Sequence, residues 1–267
     1  MCTVTAVLLA QDAGRSFTGA PVLRVICNRD EKRTRTEAIP PVCRRFADRT
    51  AILPIDPLSR GTWVGVNDAG LVLCLLNASA PPIPKLGAAL RSRGDIIPSL
   101  LHCESVAEVA NRIDCIDPQQ FPPFRLLAVS RDQRAVMTAD RSQIRVQPTR
   151  SMNDPCMLTS SSLGDELVDI PRRELFRELL RSSQDLAGAQ HRFHTHRWPD
   201  RPHLSVHMSR PDARTVSRTI VEVAGGYVRM TYHALLDIQP SRNQALPDAS
   251  PVAVPQTVEL CPAGAPA

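Results

Sequence analysis

Met1-Cys2-Thr3-Val4-Thr5-Ala6-Val7-Leu8-Leu9-Ala10 and, after a Gly-containing connection, Val22-Leu23-Arg24-Val25-Ile26-Cys27-Asn28-Arg29-Asp30-Glu31 form the stretch on which the fold depends. Both runs are β-branched and aliphatic, bounded by Gly, Pro and Asp, and read as the two strands of a hairpin. If the strands pair flat, the end of the second returns beside the start of the first. Arg29 and Asp30 then lie close to Cys2. A guanidinium beside a thiol favours thiolate, and a carboxylate there can hold or orient an amine. Cys2 is small enough for Met1 to be trimmed, which leaves one residue with a thiol titrating near ~8.5 and an α-amine near ~8. Nucleophile and base would share a residue.

A chain of 267 residues can bury a sizeable core. Aromatic residues make up only 4%, so Val, Ile, Leu and Ala must build that core. The formal charge of +5 is carried by scattered Arg with only Lys32 and Lys85 as lysines. Without a clustered basic face this argues against a nucleic-acid partner. No apolar run approaches a membrane span, and the apolar start is too short for a signal peptide. The eight cysteines lack Cys-x-x-Cys spacing and several lie in strand-like runs, so reduced, mostly buried thiols in a cytoplasmic protein are expected.

Residues 32–60, rich in Arg, Thr and Pro, show no period and read as a long surface excursion or lid. Gly61–Val66 and Leu71–Asn77, joined by Asn67-Asp68-Ala69-Gly70, read as a hairpin whose second strand is buried on both faces. A Pro-rich break follows, then two short helices meeting at Gly94 within Leu86–Leu101, and an amphipathic helix over Ser105–Ile113. Phe124–Ser130, Ala135–Ala139 and Gln143–Gln147 read as a meander, and Cys156–Thr159 as a short buried strand. A helix starts around Pro171, Ala189–His203 reads as a loop, and Thr219–Val223 with Tyr227–Tyr232 as a last hairpin. Residues 1–236 are expected to form one domain and 237–267 a disordered Pro/Ala-rich tail. Hairpins with helices between them argue for an α+β architecture, two mainly antiparallel sheets sandwiched by helices.

Met1-Cys2-Thr3 together with Asn28-Arg29-Asp30-Glu31 resembles the NRDE family, of the transport and Golgi organisation type. More distantly it is similar to choloylglycine hydrolases and penicillin V acylases, N-terminal-nucleophile (Ntn) hydrolases with a leading Cys. The resemblance implies a four-layer αββα sandwich, a Cys2 nucleophile tuned by Arg29 and Asp30, and hydrolysis of a linear non-peptide C–N bond. Val66–Leu71 followed by Leu76-Asn77 looks like the paired Asn positions of that group, which assigns an oxyanion donor to Asn77. Leu158-Thr159-Ser160-Ser161 stands where those enzymes carry Leu-Thr-Asn-Ser, so Ser160 replaces their second donor. Loss of one such donor costs on the order of a hundredfold in rate. The distal Arg falls on Arg214 or Arg218, with the count from the strand start favouring Arg218.

Eukaryotic relatives are associated with Golgi organisation, lipid metabolism and haem trafficking, so the alternative is a non-catalytic lipid- or haem-handling protein on the same scaffold. The expected partner is a small-molecule amide or lipid-like ligand, with no cofactor. His191, His194, His196, His203 and His207 are dense enough to raise a zinc site, but interleaved Arg repels a cation; a surface or substrate-rim loop is expected, with no metal. Trp63 reads as core or rim.

Overall fold

The computed structural model describes residues 2–10, 21–78, 90–236 and 253–260. In chain order the strands and helices are β1 (Cys2–Leu9), β2 (Val22–Lys32), β3 (Ile39–Phe46), β4 (Arg49–Ile55), β5 (Val64–Asn67), β6 (Val72–Asn77), α1 (Ile96–Leu100) and α2 (Val106–Arg112). They continue with β7 (Phe124–Val129), β8 (Gln133–Ala139), β9 (Ile144–Val146), β10 (Arg150–Ser151), β11 (Cys156–Thr159), α3 (Asp165–Arg181) and α4 (Leu186–Thr195). β12 (Ala213–Ala224), β13 (Tyr227–Ala234) and β14 (Gln256–Leu260) complete the chain. One sheet runs β11-β1-β2-β12-β13-β14, and the other β10-β8-β7-β6-β5-β4-β3 with β9 beside β8. Every pairing is antiparallel.

Period-2 alternation sorts these strands into three apolar layers. Val4, Ala6, Val25, Cys27, Val72, Cys74 and Leu76 meet between the sheets. Leu71, Leu73 and Leu75 instead pack on the other side of β6 against Ile97, Leu100 and Val109 of α1 and α2. Val7 and Val22 pack against Phe176 and Phe193 of α3 and α4. The continuous apolar run of β6 is therefore buried on both faces, as expected, and the order of layers is αββα. Each fully buried Leu or Ile contributes about 1.5–3 kcal/mol.

Four expectations are corrected. Residues 32–60 contain the β3–β4 hairpin, whose alternation is hidden by Pro40 and Pro41; β3 is an edge strand with an irregular register there, where proline is tolerated. α3 starts at Asp165, so Pro171 lies inside it rather than at its start. Ala189–His203 is helical up to Thr195, because Ala189, Gln190, Phe193 and His194 recur on one buried face beneath polar letters. Within the expected tail, Gln256–Leu260 pairs with β13 as β14; residues 237–252 and 261–267 lie outside the described residues. The connection after Ala10, the fate of Met1 and the part of the Leu86–Leu101 reading before Leu90 also lie outside them. Among the described residues no helix is long and apolar enough to cross a membrane.

Candidate active site

The register of the first hairpin sets Cys2 directly opposite Arg29, with Val4 opposite Cys27. By alternation the side chains of Cys2, Cys27 and Arg29 share the inter-sheet face of their strands. At the other side of Cys2, β11 ends at Thr159 and the chain turns so that Ser160 N–H donates to Cys2 O at 2.9 Å. The Cys2 N–H in turn donates to Ser160 Oγ at 3.1 Å. With Met1 attached this nitrogen is a peptide N–H; it marks where the α-amine of a terminal Cys2 would sit.

Cys2 is only 4% exposed, but it lines an open cavity of about 430 Å³ together with Arg29, Trp63, Asn77 and Arg93. A hydrogen bond from the Cys27 thiol lowers the Cys2 thiol below its ordinary value, against burial; the N-terminal charge pushes the same way, Asp30 pushes it up, and Arg29 adds the smallest push down. Cys27 itself is pushed well up by that bond and by burial. The two thiols thus divide their roles, one as donor and one as the more readily ionised group. A larger cavity of about 540 Å³ lies between β8, β11 and α3. The thiol in its wall, Cys156, is pushed up by burial, so that cavity lacks an activated nucleophile.

Arg29 is fixed on three sides. It pairs with Asp56, approaches Glu31 at 3.6 Å and lies over the Trp63 ring at 4.1 Å from the centroid. Asp56 also receives Arg35 at 2.9 Å and the backbone N–H of Leu58 and Ser59 at 3.0 and 2.9 Å. Burial works to raise the Asp56 carboxyl, but the Ser59 N–H and the two guanidiniums outweigh it and hold it below its usual range. Asp30 lies on the opposite face of β2, where Thr215 Oγ1 donates to it at 2.6 Å. Burial raises its carboxyl in spite of the nearby Arg172 charge. Arg172, on α3, is fully buried and donates to Thr3 Oγ1, Thr159 Oγ1 and the carbonyls of Leu204 and Ser205 at 2.6–3.0 Å. That fork ties β1 to β11, the two strands whose ends carry Cys2 and Ser160.

The structure therefore brings Cys2, Arg29 and Asn77 to one cavity, with Ser160 on the Cys2 nitrogen and Asp30 behind the sheet. Two of the expected site residues are placed away from the cavity. The Ser160 hydroxyl engages the Cys2 backbone and is not among the groups that line the cavity. Arg218 faces the helical layer, opposite Asn28 in register, and its charge acts on His191, His194 and His207 rather than on Cys2. Of the histidines, His191 and His203 are exposed and His196 half-buried, while His194 and His207 are buried: His194 Nε2 meets Thr5 Oγ1 at 2.7 Å, and Arg197 meets His207 Nε2 at 3.0 Å. Elsewhere the donor atoms of His102, Cys103 and Glu108 lie within 4.8 Å of one another. Both Glu108 oxygens already accept, from Arg112 Nε and Glu104 N–H. Cys27, Asp56 and Arg93 were missed by sequence reasoning. Of these only Cys27 carried a signal, since it sits two residues before Arg29 and so shares its face.

The fold is that of the Ntn hydrolases, with a cysteine at the start of its first strand. The structure is similar to penicillin V acylase from Agrobacterium tumefaciens (TM-score 0.55, 11% identity, 88% of this chain and 83% of that one). It is similar also to a Caenorhabditis elegans N-acylethanolamine-hydrolyzing acid amidase ortholog (TM-score 0.53, 13% identity, 82% and 92%). A conjugated bile acid hydrolase from Clostridium perfringens matches with TM-score 0.51 at 12% identity, over 94% and 95% of the two chains. Residues 2–197 match the model of the Transport and Golgi organisation 2 family, and the chain belongs to that family. No curated protein matches it by sequence.

Proposed function

We propose that the protein is an Ntn-type amidohydrolase of a linear, non-peptide C–N bond, acting once Met1 has been removed. The observation that supports this most is the placement of a thiol that ionises more readily than usual at an open cavity, with its own backbone nitrogen held by Ser160. In this reading Cys2 Sγ attacks the amide carbonyl while the α-amine of the same residue takes the thiol proton. Ser160 Oγ orients that amine, and Asp30 stabilises its ammonium form from behind the sheet. Asn77, at the end of β6, donates to the oxyanion. The ammonium then protonates the departing amine as the tetrahedral adduct collapses to a thioester, and water, with the amine again as base, releases the acid. Residues 1–236 supply these groups as one unit, and the seven unpaired cysteines among the described residues support a cytoplasmic setting.

The test is N-terminal sequencing and intact-mass labelling with iodoacetamide, followed by an amide library assayed with wild type, Cys2→Ala and Asn77→Ala. A mature N-terminus at Cys2, single labelling there and loss of turnover in Cys2→Ala are expected. Asn77→Ala should lower kcat by about a hundred- to a thousandfold. Retained Met1 or an inert Cys2 would sink the proposal. The second reading, a non-catalytic lipid or haem handler, is favoured by one observation: with Ser160 turned to the Cys2 backbone, the cavity has one oxyanion donor fewer than the acylases it resembles. Co-purified lipid or haem with no hydrolysis across the library would select it.

A further inference from the structure

The wall of the Cys2 cavity carries six cationic side chains and three carboxylates. The carboxylates are all engaged: Asp56 by Arg29 and Arg35, Glu31 by Arg29 at 3.6 Å, and Asp212 by Arg210 at 3.1 Å. Arg91 pairs outward with Asp95 at 3.6 Å. Among the described residues this leaves Arg93 and the exposed rim residue Lys32 without a carboxylate partner. Arg93 is not a waving surface side chain. Its Nη1 donates to Pro123 O at 2.8 Å, and it sits half-buried in a 3₁₀ turn capped by Ser92, whose Oγ accepts from Gly94 N–H at 3.1 Å. That turn is pressed against the entrance to β5, where Thr62 N–H donates to Gly94 O at 3.1 Å. A Cβ on Gly61 would stand 2.5 Å from Gly94 C, so two glycines are what let the turn close on the cavity. Burial works against the Arg93 charge, and the Cys2 and Glu31 charges that favour it do so without an ion-pair contact, so a guanidinium held against a carbonyl at the cavity wall is placed to gain from a ligand that brings further negative charge.

We propose that this cavity selects amides bearing an anionic group and that Arg93 is the side chain that reads it, with Lys32 adding long-range attraction at the rim. The inference rests on the reading of Cys2 as the reactive group, and deepens it by naming the substrate class. A guanidinium matches a carboxylate, sulfonate or phosphate alike, and the anion can sit on the amine half or the acyl half of the substrate.

The experiment compares kcat/KM for N-octanoylglycine, N-octylsuccinamic acid and neutral N-octanoylethanolamine, in wild type and Arg93→Gln, with thermal melting to verify folding. A charge-assisted hydrogen bond should favour at least one of the two acids over the neutral amide by about ten- to a hundredfold. Which acid is favoured locates the anion on the amine or the acyl half. In Arg93→Gln that ratio should fall close to one through a higher KM for the acid, and raising salt should shrink it in wild type. Equal rates for acids and neutral amide, or an Arg93→Gln variant that slows all three in proportion, overturns the proposal. If no substrate turns over, calorimetric binding of the same three compounds to Cys2→Ala decides separately. A preference for an acid that Arg93→Gln removes then supports anion recognition while the hydrolase reading fails. No preference overturns the inference itself.

Discussion

Replacing Cys27 by Ala tests the electrostatics of the site at its least obvious point. Cys27 is 1% exposed and its thiol is the leading cause that favours ionisation of Cys2. A thiol is a weak donor, so its bond to a thiolate is set at the low end of the range for charged acceptors, about 1.5 kcal/mol. Since 1.36 kcal/mol is a tenfold change in an ionisation constant, loss of the bond moves the inflection of the Cys2 alkylation profile up by about one pH unit. Below that inflection the thiolate population falls about tenfold. The more basic thiolate is, however, about threefold more nucleophilic at a Brønsted slope of 0.4–0.5. The net expectation is alkylation about three- to fourfold slower at fixed low pH, and faster above the new inflection.

The assay is iodoacetamide labelling of Cys2 followed by mass spectrometry between pH 5 and pH 10. Cys27→Ser, which keeps a donor, should hold the inflection near that of wild type. The vacated sulfur leaves a small void beside Val4 and Val25 in the inter-sheet core, at a cost of about 1 kcal/mol. That lowers the melting temperature without touching the profile. An inflection that stays put or moves down in Cys27→Ala would refute the assignment of Cys27 as donor and leave the N-terminal charge and Arg29 to account for the thiolate.

Two further outcomes follow from buried charge. Asp56→Asn removes the carboxylate shared by Arg29 and Arg35; it leaves Arg29 buried with only Glu31 at 3.6 Å, and should lower stability by about 3–5 kcal/mol in urea unfolding, whereas a loss under 1 kcal/mol would mean Glu31 suffices. His207 is held to about 3 by burial and by Arg197, while an unfolded histidine titrates near ~6.5. Because the folded value is the lower one, the unfolded chain binds more protons, and stability is complete above about pH 6.5 and falls as pH drops toward 3. At pH 5 this one residue costs about 2 kcal/mol, so His207→Gln should narrow the gap between pH 5 and pH 8 unfolding curves by that amount; an unchanged gap would assign the acid sensitivity to His194 instead.

Much of this was legible in the residues. The period-2 run of β1 and β2, with the two strands ending near the same level, is enough to bring Arg29 opposite Cys2. The Asn-Asp-Ala-Gly turn before β6 is equally local: Gly70 has φ +79° and Asn67 Oδ1 accepts from Leu71 N–H at 3.0 Å. What could not be read is contact across layers. Asp56 lies 27 residues from Arg29 in a segment whose strands were masked by prolines, and Arg93 follows a Pro-rich break that gives no direction to a side chain. The buried face of α4 was hidden because Gln190 and His194 are polar letters whose partners, Thr5 and Arg24, lie on other elements.

The misplacement of Arg218 has a sharper cause. β12 pairs Thr215 with Asp30 but Ser217 with Arg29, so one extra residue, Val216, is bulged out. A single-residue slip turns every later side chain to the opposite face. Had the register at Thr215 continued unbroken, Arg218 would lie opposite Cys27 and face the Cys2 cavity; the bulge puts it opposite Asn28 and under the helices. The same bulge keeps Thr215 with Asp30 on the helical side, at 2.6 Å, while Ser217 and Arg29 stay on the cavity side. The sheet plane thereby divides the device. Sulfur and its tuning groups, Cys27 and Arg29, lie on one face, and Asp30 with Arg172 lies on the other. The Cys2 nitrogen sits in the plane between them. In the proposed reading Asp30 favours a proton on that nitrogen; its charge also works against the Cys2 thiolate through the sheet, and Cys27, the N-terminal charge and Arg29 together outweigh it and burial.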